Sequence, residues 1–317
     1  MPGPTPVRNR RNFIASAASG VAGIALMGKT APPVFAKTRA SFIATAALGD
    51  GLSLLRGAGG NIVLLVNDEG ALMIDCGASD HIADVLRAVA HEADRRPVRV
   101  LFNTHWHWDH TGANEAFGKA GARIIAHENT KLWLGADFFV EWQDRAYPPR
   151  PAQALPTETF YTDGQLNFGR EPILYGHLPR AHTDGDMYLF FPNRNVLVTG
   201  DLLSVGSYPI LDYSTGGWIG GMLDASKALL ERTDAQTRVI PGTGPLQTRA
   251  DLQAQVDMLA TLRERLIGLL KQGMSAEDMI AAAPTREFDA RWGNPQLFIR
   301  NAYRGLWGHV RSLGGIV

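Results

Sequence analysis

The segment NTHWHWDHTG, residues 103–112, constrains what this chain can fold into more than any other stretch. A short apolar run, VRVLF, precedes it and predicts a buried strand. Alternate residues of an extended segment point the same way, so His105 and His107 can share one metal ion. Asp109 and His110 then turn toward a neighbouring point. Because neutral imidazole and carboxylate are natural zinc ligands, the segment predicts a metal site at the end of a strand.

Strand and helix patterns alternate along the rest of the chain. Residues 60–77 show two apolar strands around a turn-forming tetrad, and residues 79–94 have apolar side chains at helical spacing. This alternation predicts an α/β layered fold. With 317 residues, 45% of them hydrophobic, the chain can build a sizeable core. We expect one domain over residues 37–317, ending in a helical tail.

Two other stretches carry clear expectations. Residues 136–159 are rich in proline and aromatic side chains and predict a long, irregular surface loop. Residues 250–273 predict a strongly amphipathic helix, which could serve a partner as easily as its own core. Ser275 is a plausible N-cap for the helix that follows. The lone cysteine, Cys76, excludes an intrachain disulfide and is expected to be a buried small hydrophobe.

The N-terminus, residues 1–36, has the features of an export signal. Arg10 and Arg11 are followed by Phe13, then by a mildly apolar stretch and by the small-residue pattern at 34–36. The paired arginines resemble a twin-arginine signal, which predicts a periplasmic or secreted protein without a stable membrane span after signal removal. The alternative is a basic tail or an uncleaved anchor.

The charge balance argues against polyanionic partners. Lys and Arg together number 31, as do Asp and Glu, so the formal net charge is zero. We therefore expect a small-molecule substrate and no nucleic acid. The oligomeric state is left open.

The His-x-His-x-Asp-His string resembles the signature of the metallo-β-lactamase superfamily. The resemblance extends over about residues 50–245. GALMIDCG is similar to the family's early strand and turn, and AHTDGDMYLFFP, NVLVTGDLL and VIPGTGP follow in the family's order. It implies a four-layer αββα sandwich, within the exported, lactamase-like branch of these hydrolases.

The resemblance also implies two groups of metal ligands. The first would hold one zinc through three imidazoles, those of His105, His107 and His182. The second would be Asp109, His110 and Asp201, with Asp201 bridging the two metals.

One position departs from the family's pattern. Where the family normally has Gly-His-Gly, this chain has Thr243 between two glycines. A threonine hydroxyl is a poor zinc ligand, although it can hydrogen-bond a metal-bound water. Three outcomes stay open: two Zn²⁺ ions with a loosely held second one, a single Zn²⁺ at the three histidines, or a non-catalytic remnant. Iron and manganese also suit such mixed sites.

The implied activity is that of a zinc-dependent hydrolase, which uses a metal-activated hydroxide on a small substrate. A lactam or an ester is the leading substrate class, and Asp109 would be the catalytic residue that orients the water and carries its proton. One alternative is a thioesterase of the glyoxalase II kind. Another is a metal-binding accessory protein without turnover.

Four further residues are candidates for the site's surroundings. Trp108 is expected either to line a substrate pocket or to pack in the core, and Tyr208 could touch substrate. Asp184 is expected to fix the turn that carries His182. His127 ends a strand near the site and has either a structural role or a contact with a ligand.

Overall fold

Two β-sheets form the centre of the fold and pack face to face. The structure is a computed structural model and describes residues 43–309, which belong to one compact unit beginning at Ser41. Residues 1–36, where the export signal is predicted, lie outside the described residues. Strands and helices are numbered in chain order.

The first sheet has seven strands, antiparallel on one side and parallel on the other. They are β1 (Ala44–Gly49), β2 (Leu52–Ala58), β3 (Gly60–Asn67), β4 (Gly70–Ile74), β5 (Val98–Phe102), β6 (Arg123–His127) and β9 (Glu158–Phe160). In this order they are neighbours, with antiparallel pairing from β1 to β4 and parallel pairing from β4 to β9.

The second sheet has five strands. They are β10 (Asp163–Phe168), β11 (Glu171–His177), β12 (Met187–Phe191), β13 (Val196–Gly200) and β14 (Arg238–Pro241). The first four pair antiparallel, and β14 runs parallel to β13. A separate hairpin is formed by β7 (Phe138–Val140) and β8 (Arg145–Tyr147).

Helices connect the strands, and most of them cover the outer faces of the two sheets. They are α1 (Ile82–Glu92), α2 (Trp108–Thr111), α3 (Asn114–Lys119), α4 (Glu128–Gly135), α5 (Ile219–Glu231), α6 (Arg249–Lys271), α7 (Ala276–Ala282), α8 (Asp289–Trp292) and α9 (Gln296–Gly308). Among the described residues, no helix has the length and apolar character needed to cross a membrane.

Three apolar layers hold the sandwich together. Side chains of both sheets, such as Phe102 and Ile240, form the central layer. One outer layer packs α1 and α3 on the first sheet. The other packs α5, α6 and α9 on the second sheet. The predicted αββα sandwich is therefore confirmed, because each sheet buries one face against the other sheet and one against helices.

Local sequence signals explain several element boundaries. The Asn67 side chain accepts a hydrogen bond from the Glu69 amide at 2.9 Å and closes the β3–β4 turn. Ser275 caps α7 in a capping box with Asp278, as predicted. Cys76 is buried, and its thiol donates to Asn114 Oδ1 at 3.1 Å.

Residues 136–159 contain more regular structure than the sequence predicted. The β7–β8 hairpin and the start of β9 fall inside this stretch. The hairpin packs its aromatic side chains on Trp106, so tertiary contacts supply order that the proline-rich composition does not predict.

The two sheets are joined at the edge where β4, β5, β13 and β14 end. Backbone hydrogen bonds cross between them there: Met187 donates to Thr104 O at 2.9 Å and Asn61 donates to Gly242 O at 2.7 Å. The segments that follow these four strand ends therefore come together.

Candidate metal centre

Three buried imidazoles and one carboxylate converge at this edge. His105, His107 and His182 are 0%, 6% and 0% exposed. Each offers one ligand atom, and with a carboxylate oxygen of Asp201 these atoms all lie within 4.8 Å of one another. Nε2 of His105 and Nε2 of His182 are buried without a hydrogen-bond partner. Because orphaned buried polar atoms are costly, this donor set fits a metal ion better than it fits a plain core.

The opposite nitrogen of each ring is held by a neighbour. His107 Nε2 lies 3.1 Å from Asp212 Oδ2, and His182 Nδ1 lies 3.4 Å from Asp186 Oδ1. His105 Nδ1 lies 3.0 Å from Thr104 Oγ1. These contacts fix each ring's orientation and tautomer and leave the other nitrogen available, as in many metal-binding histidines.

The Asp75 carboxylate links two of the ligand candidates, His105 and His110. Its carboxylate accepts hydrogen bonds from the Thr104 amide at 2.8 Å and the Thr104 hydroxyl at 2.7 Å. It also lies 2.8 Å from His110 Nδ1. A left-handed backbone at Asp75, with φ of 57°, turns the chain sharply after β4. The short chain His105–Thr104–Asp75–His110 thus couples the two groups of predicted ligands.

The second predicted group is assembled but more open. His110 Nε2 lies 3.4 Å from Asp201 Oδ1 and 3.8 Å from Asp109 Oδ2. The Asp109 side chain is 50% exposed and that of Asp201 is 21% exposed. The structure therefore brings all six predicted ligands to one place.

Burial and neighbouring charges shift the pKa values of these imidazoles in different directions. Burial would lower the pKa of His182, but Asp186 and Asp201 raise it above its ordinary value. Burial and the neighbouring His110 lower the pKa of His105 well below its ordinary value, which favours the neutral, metal-binding imidazole. Burial alone would also lower the pKa of His110, but the carboxylates of Asp201, Asp109 and Asp75 raise it well above the ordinary range.

Two glycines allow the backbone to come this close. A Cβ atom at Gly60 would lie 2.6 Å from His110 Cε1, and one at Gly242 would lie 1.9 Å from Asp201 Oδ1. Any side chain at either position would collide with a ligand candidate.

Thr243, next to Gly242, is exposed. The loop that carries it is held by Asn61, whose side-chain amide donates to Pro241 O at 2.8 Å and Gly244 O at 2.9 Å. The loop is thus fastened through its backbone, and the position of Gly242 against Asp201 does not depend on the Thr243 side chain.

A family model described as the metallo-beta-lactamase superfamily matches residues 55–267, about two thirds of the chain. The chain belongs to the metallo-β-lactamase superfamily. It is accordingly a metal-dependent hydrolase in type, as the sequence predicted.

Individual relatives are distant. The metallo-beta-lactamase IND-1 of Chryseobacterium indologenes is 24% identical over 182 residues, which is 57% of this chain and 70% of that protein. A metallo-beta-lactamase from Pontibacter korlensis is 19% identical with a TM-score of 0.57, covering 69% of this chain and 99% of that one. The stereoselective inverting sec-alkylsulfatase Pisa1 from Pseudomonas sp. is 17% identical with a TM-score of 0.61, covering 83% of this chain and 50% of that one. At these identities the structural matches show the fold.

In this metallo-β-lactamase superfamily member, Trp108 lies at the wall of a cavity beside the ligand cluster. The cavity has a volume of about 370 Å³ and is also lined by His107 and Asp109. The neighbouring Trp106 is fully buried and donates to Thr215 Oγ1 at 3.1 Å. The two tryptophans that flank His107 thus have different surroundings, one in the core and one at the pocket.

The structure contradicts the prediction that Tyr208 contacts substrate. Its ring is buried and stacks on Phe298 with centroids 5.1 Å apart. Its hydroxyl donates to Asp289 Oδ1 at 2.8 Å. Tyr208 therefore belongs to the core beneath the C-terminal helices, because those helices fold back over the loop that follows Asp201.

Asp184 and His127 lie on the His182 side of the site. The carboxylate beside the His182 ring is that of Asp186, whereas Asp184 accepts from Trp133 Nε1 at 2.7 Å. His127 accepts from the Asn129 amide at the start of α4, and its ring stacks on His177 at 3.6 Å. Burial and His177 lower the pKa of His127 to about 4.

Sequence reasoning missed several residues that hold the ligands. Asp75 lies in the GALMIDCG motif, directly after a buried strand. A polar residue at that position was the signal that could have identified it. Asp212 lies 105 positions from His107 and Asn61 lies 180 positions from Pro241. No local pattern connects residues so far apart.

Proposed function

We propose that this chain is a zinc-dependent hydrolase of small substrates, with a lactam or an ester as the leading substrate class. One observation carries the proposal: orphaned nitrogens of His105 and His182 converge with His107 and Asp201 in a buried cluster beside a cavity. Such a cluster has little use in a purely structural site.

His105, His107 and His182 would hold the first metal ion, with Asp201 at its edge. Asp109, His110 and Asp201 would hold a second. A bound zinc supplies Lewis-acid polarisation of the substrate and lowers the pKa of coordinated water to about 7.

The protein's own groups account for the remaining chemistry. Asp109 is half exposed and lines the cavity, so its carboxylate can accept the proton of an attacking water and orient that water toward the substrate. Burial would raise the pKa of the Asp201 carboxyl, but the neighbouring His110, His105 and His182 hold it well below its ordinary range. The Asp201 carboxylate therefore stays anionic. Asp212 and Asp186 keep the two imidazoles beside them aimed at the cluster.

The test is a substrate panel with the purified mature protein, before and after chelation and zinc restoration. The panel contains a chromogenic cephalosporin, a lactone and a thioester. A secondary alkyl sulfate is added because the match with the alkylsulfatase covers 83% of this chain. Zinc-restored turnover of the cephalosporin or lactone is the expected result. Exclusive turnover of the thioester would favour the glyoxalase II-like alternative. No turnover of any substrate would count against the hydrolase proposal and favour the accessory-protein alternative.

We also propose that the protein is exported by the twin-arginine route to the periplasm or beyond. The support is the Arg10-Arg11-x-Phe13 pattern followed by a mildly apolar stretch. Replacing both arginines by lysine should retain the protein in the cytoplasmic fraction. An unchanged distribution between fractions would contradict this route.

A further inference from the structure

The β7–β8 hairpin is fastened to the residues around the ligand cluster. Trp142, between the two strands, donates to Asp212 Oδ1 at 2.9 Å, and Asp212 holds His107. The Tyr147 ring meets the buried Trp106 ring edge to face, with centroids 4.9 Å apart. The hairpin is therefore attached beside the ligands at two points, by Trp142 in its turn through Asp212 and by Tyr147 on β8 through Trp106.

The cavity beside the ligand cluster lies between this hairpin and the candidate ligands. One wall comes from the ligand segment and the other from the hairpin. The lining includes His107, Trp108 and Asp109 on one side and Gln143, Arg145 and Tyr147 on the other. Because two candidate ligands, His107 and Asp109, line the cavity, a small molecule bound in it would contact both the ligand cluster and the hairpin.

Arg145 is held against two aromatic faces in this wall. Its Cζ lies 5.1 Å from the Trp108 ring centroid and 4.9 Å from that of Tyr147. The two rings meet each other edge to face at 4.9 Å and form a corner. Arg150 lies over Trp108 as well, at 4.8 Å. Cation–π contacts of this kind position a guanidinium without using its N–H donors for an ion pair.

Among the described residues, the Arg145 guanidinium forms no ion pair with a carboxylate. None of the ion pairs in residues 43–309 includes Arg145, whereas Arg194 pairs with Glu171 at 3.0 Å. Two carboxylates also line the cavity. Asp109 belongs to the candidate ligand group, and Asp80 has a side chain that is 80% exposed, so solvent screens its charge. Arg145 is exposed as well, so its distinguishing feature is its position: two aromatic rings hold this cation on the wall that faces the ligand cluster.

We infer that Arg145 binds an anionic group of the substrate. The substrate is then a small hydrolysable molecule that carries a carboxylate or a similar oxyanion close to the bond that is cleaved. A guanidinium presents paired N–H donors that match such an oxyanion. This inference rests on the proposed hydrolase function and specifies its substrate class.

Kinetics with matched substrates test the inference. Arg145→Gln is compared with Arg145→Lys and with Arg170→Gln, an exposed arginine in the β10–β11 turn that undergoes the same change of charge. A cephalosporin with a free carboxylate is compared with its neutral methyl ester. For the carboxylate substrate, Arg145→Gln should raise KM by about 10- to 100-fold with kcat nearly unchanged. Arg145→Lys should recover part of the loss, and the neutral ester should be unaffected. Equal effects on both substrates, or none, would overturn the inference.

A binding measurement separates this inference from the proposed function. Benzoate is titrated calorimetrically into the zinc-loaded wild type, Arg145→Gln and Arg170→Gln. Weaker binding only in Arg145→Gln supports the inference even if no substrate of the panel is hydrolysed. Equal or absent binding in all three proteins overturns it, whether or not the panel shows turnover.

Discussion

The two groups of candidate ligands differ in how firmly the protein holds them. His105, His107 and His182 are buried, and each ring is fixed by a hydrogen-bonding neighbour. In the other group, the Asp109 side chain is half exposed and the adjacent loop position is the exposed Thr243. A preformed, desolvated donor set loses little entropy when it binds an ion, whereas mobile or missing donors weaken binding. We therefore expect one tightly held metal and a second, weaker one.

The largest expected effect comes from removing a ligand of the buried group. His182→Ala should lose the tightly bound zinc and lower turnover by about 1,000-fold, because the Lewis-acid contribution is worth several kcal/mol. His110→Ala should keep one zinc per chain. Metal content by mass spectrometry and turnover are measured together, with the exposed His91→Ala as control. Equal metal loss in the His182 and His110 variants would contradict the difference between the groups.

A smaller effect is expected from the carboxylate behind His107. Asp212→Asn keeps the shape and can still accept from Trp142 but removes the negative charge beside the imidazole. The affinity for the first zinc should fall by about 10- to 100-fold. Competition with a coloured chelator measures it, and Asp68→Asn, fully exposed in the β3–β4 turn, serves as control. An unchanged affinity would show that burial alone orients His107.

The substitution Asn61→Ala tests whether side-chain hydrogen bonds to backbone carbonyls hold the Thr243 loop in place. Asn61→Ala removes both side-chain hydrogen bonds to the loop and should lower the free energy of unfolding by about 2 kcal/mol. Urea unfolding measures the loss, with the exposed Asn193→Ala as control. The variant should also release the second zinc more readily while retaining the first. Loss of the first zinc instead would show that the loop supports the buried group.

The substitution Thr243→His tests whether an imidazole at position 243 completes the second group of metal ligands. Gly242 already lies against Asp201, so we expect the second zinc to bind about tenfold more tightly. Metal content after dialysis should rise toward two per chain. Leu246→His, in the same loop, is the matched control. If the Thr243→His stoichiometry stays at that of the wild type, position 243 does not face the second site.

The smallest predicted effect concerns the histidine pair on the His182 side. His127 has a folded-state pKa of about 4 against an ordinary value of 6.5, so the unfolded state takes up its proton first. The stabilisation is therefore complete above pH 6.5 and is lost as the pH falls toward 4. Between pH 7 and 5 the wild type should lose about 1 kcal/mol more than His127→Asn, whose side chain can still cap α4. Urea unfolding at both pH values measures this. Parallel pH profiles would mean that His127 stays solvated.

Local sequence patterns predicted much of the fold. The apolar runs of β3, β4 and β5, the amphipathic spacing of α6 and the Ser275 cap were all readable, because they depend on neighbours within a few residues. The β7–β8 hairpin was not, because its order comes from packing on Trp106. Tyr208 was misassigned for a similar reason: the helices that bury it lie more than 70 positions further along the chain.

The sequence by itself determined the layered fold class and the identity of the ligand candidates, since their types and order are properties of short motifs. Only the tertiary structure showed which groups aim those ligands. Packing of the two sheets brings Asp212 next to His107 and Asn61 next to the Thr243 loop. Asp75 contacts His110 because β4 and β5 are neighbours in the first sheet. Hydrogen bonds between residues so far apart in the chain depend on that packing, and a pattern of neighbours does not encode them.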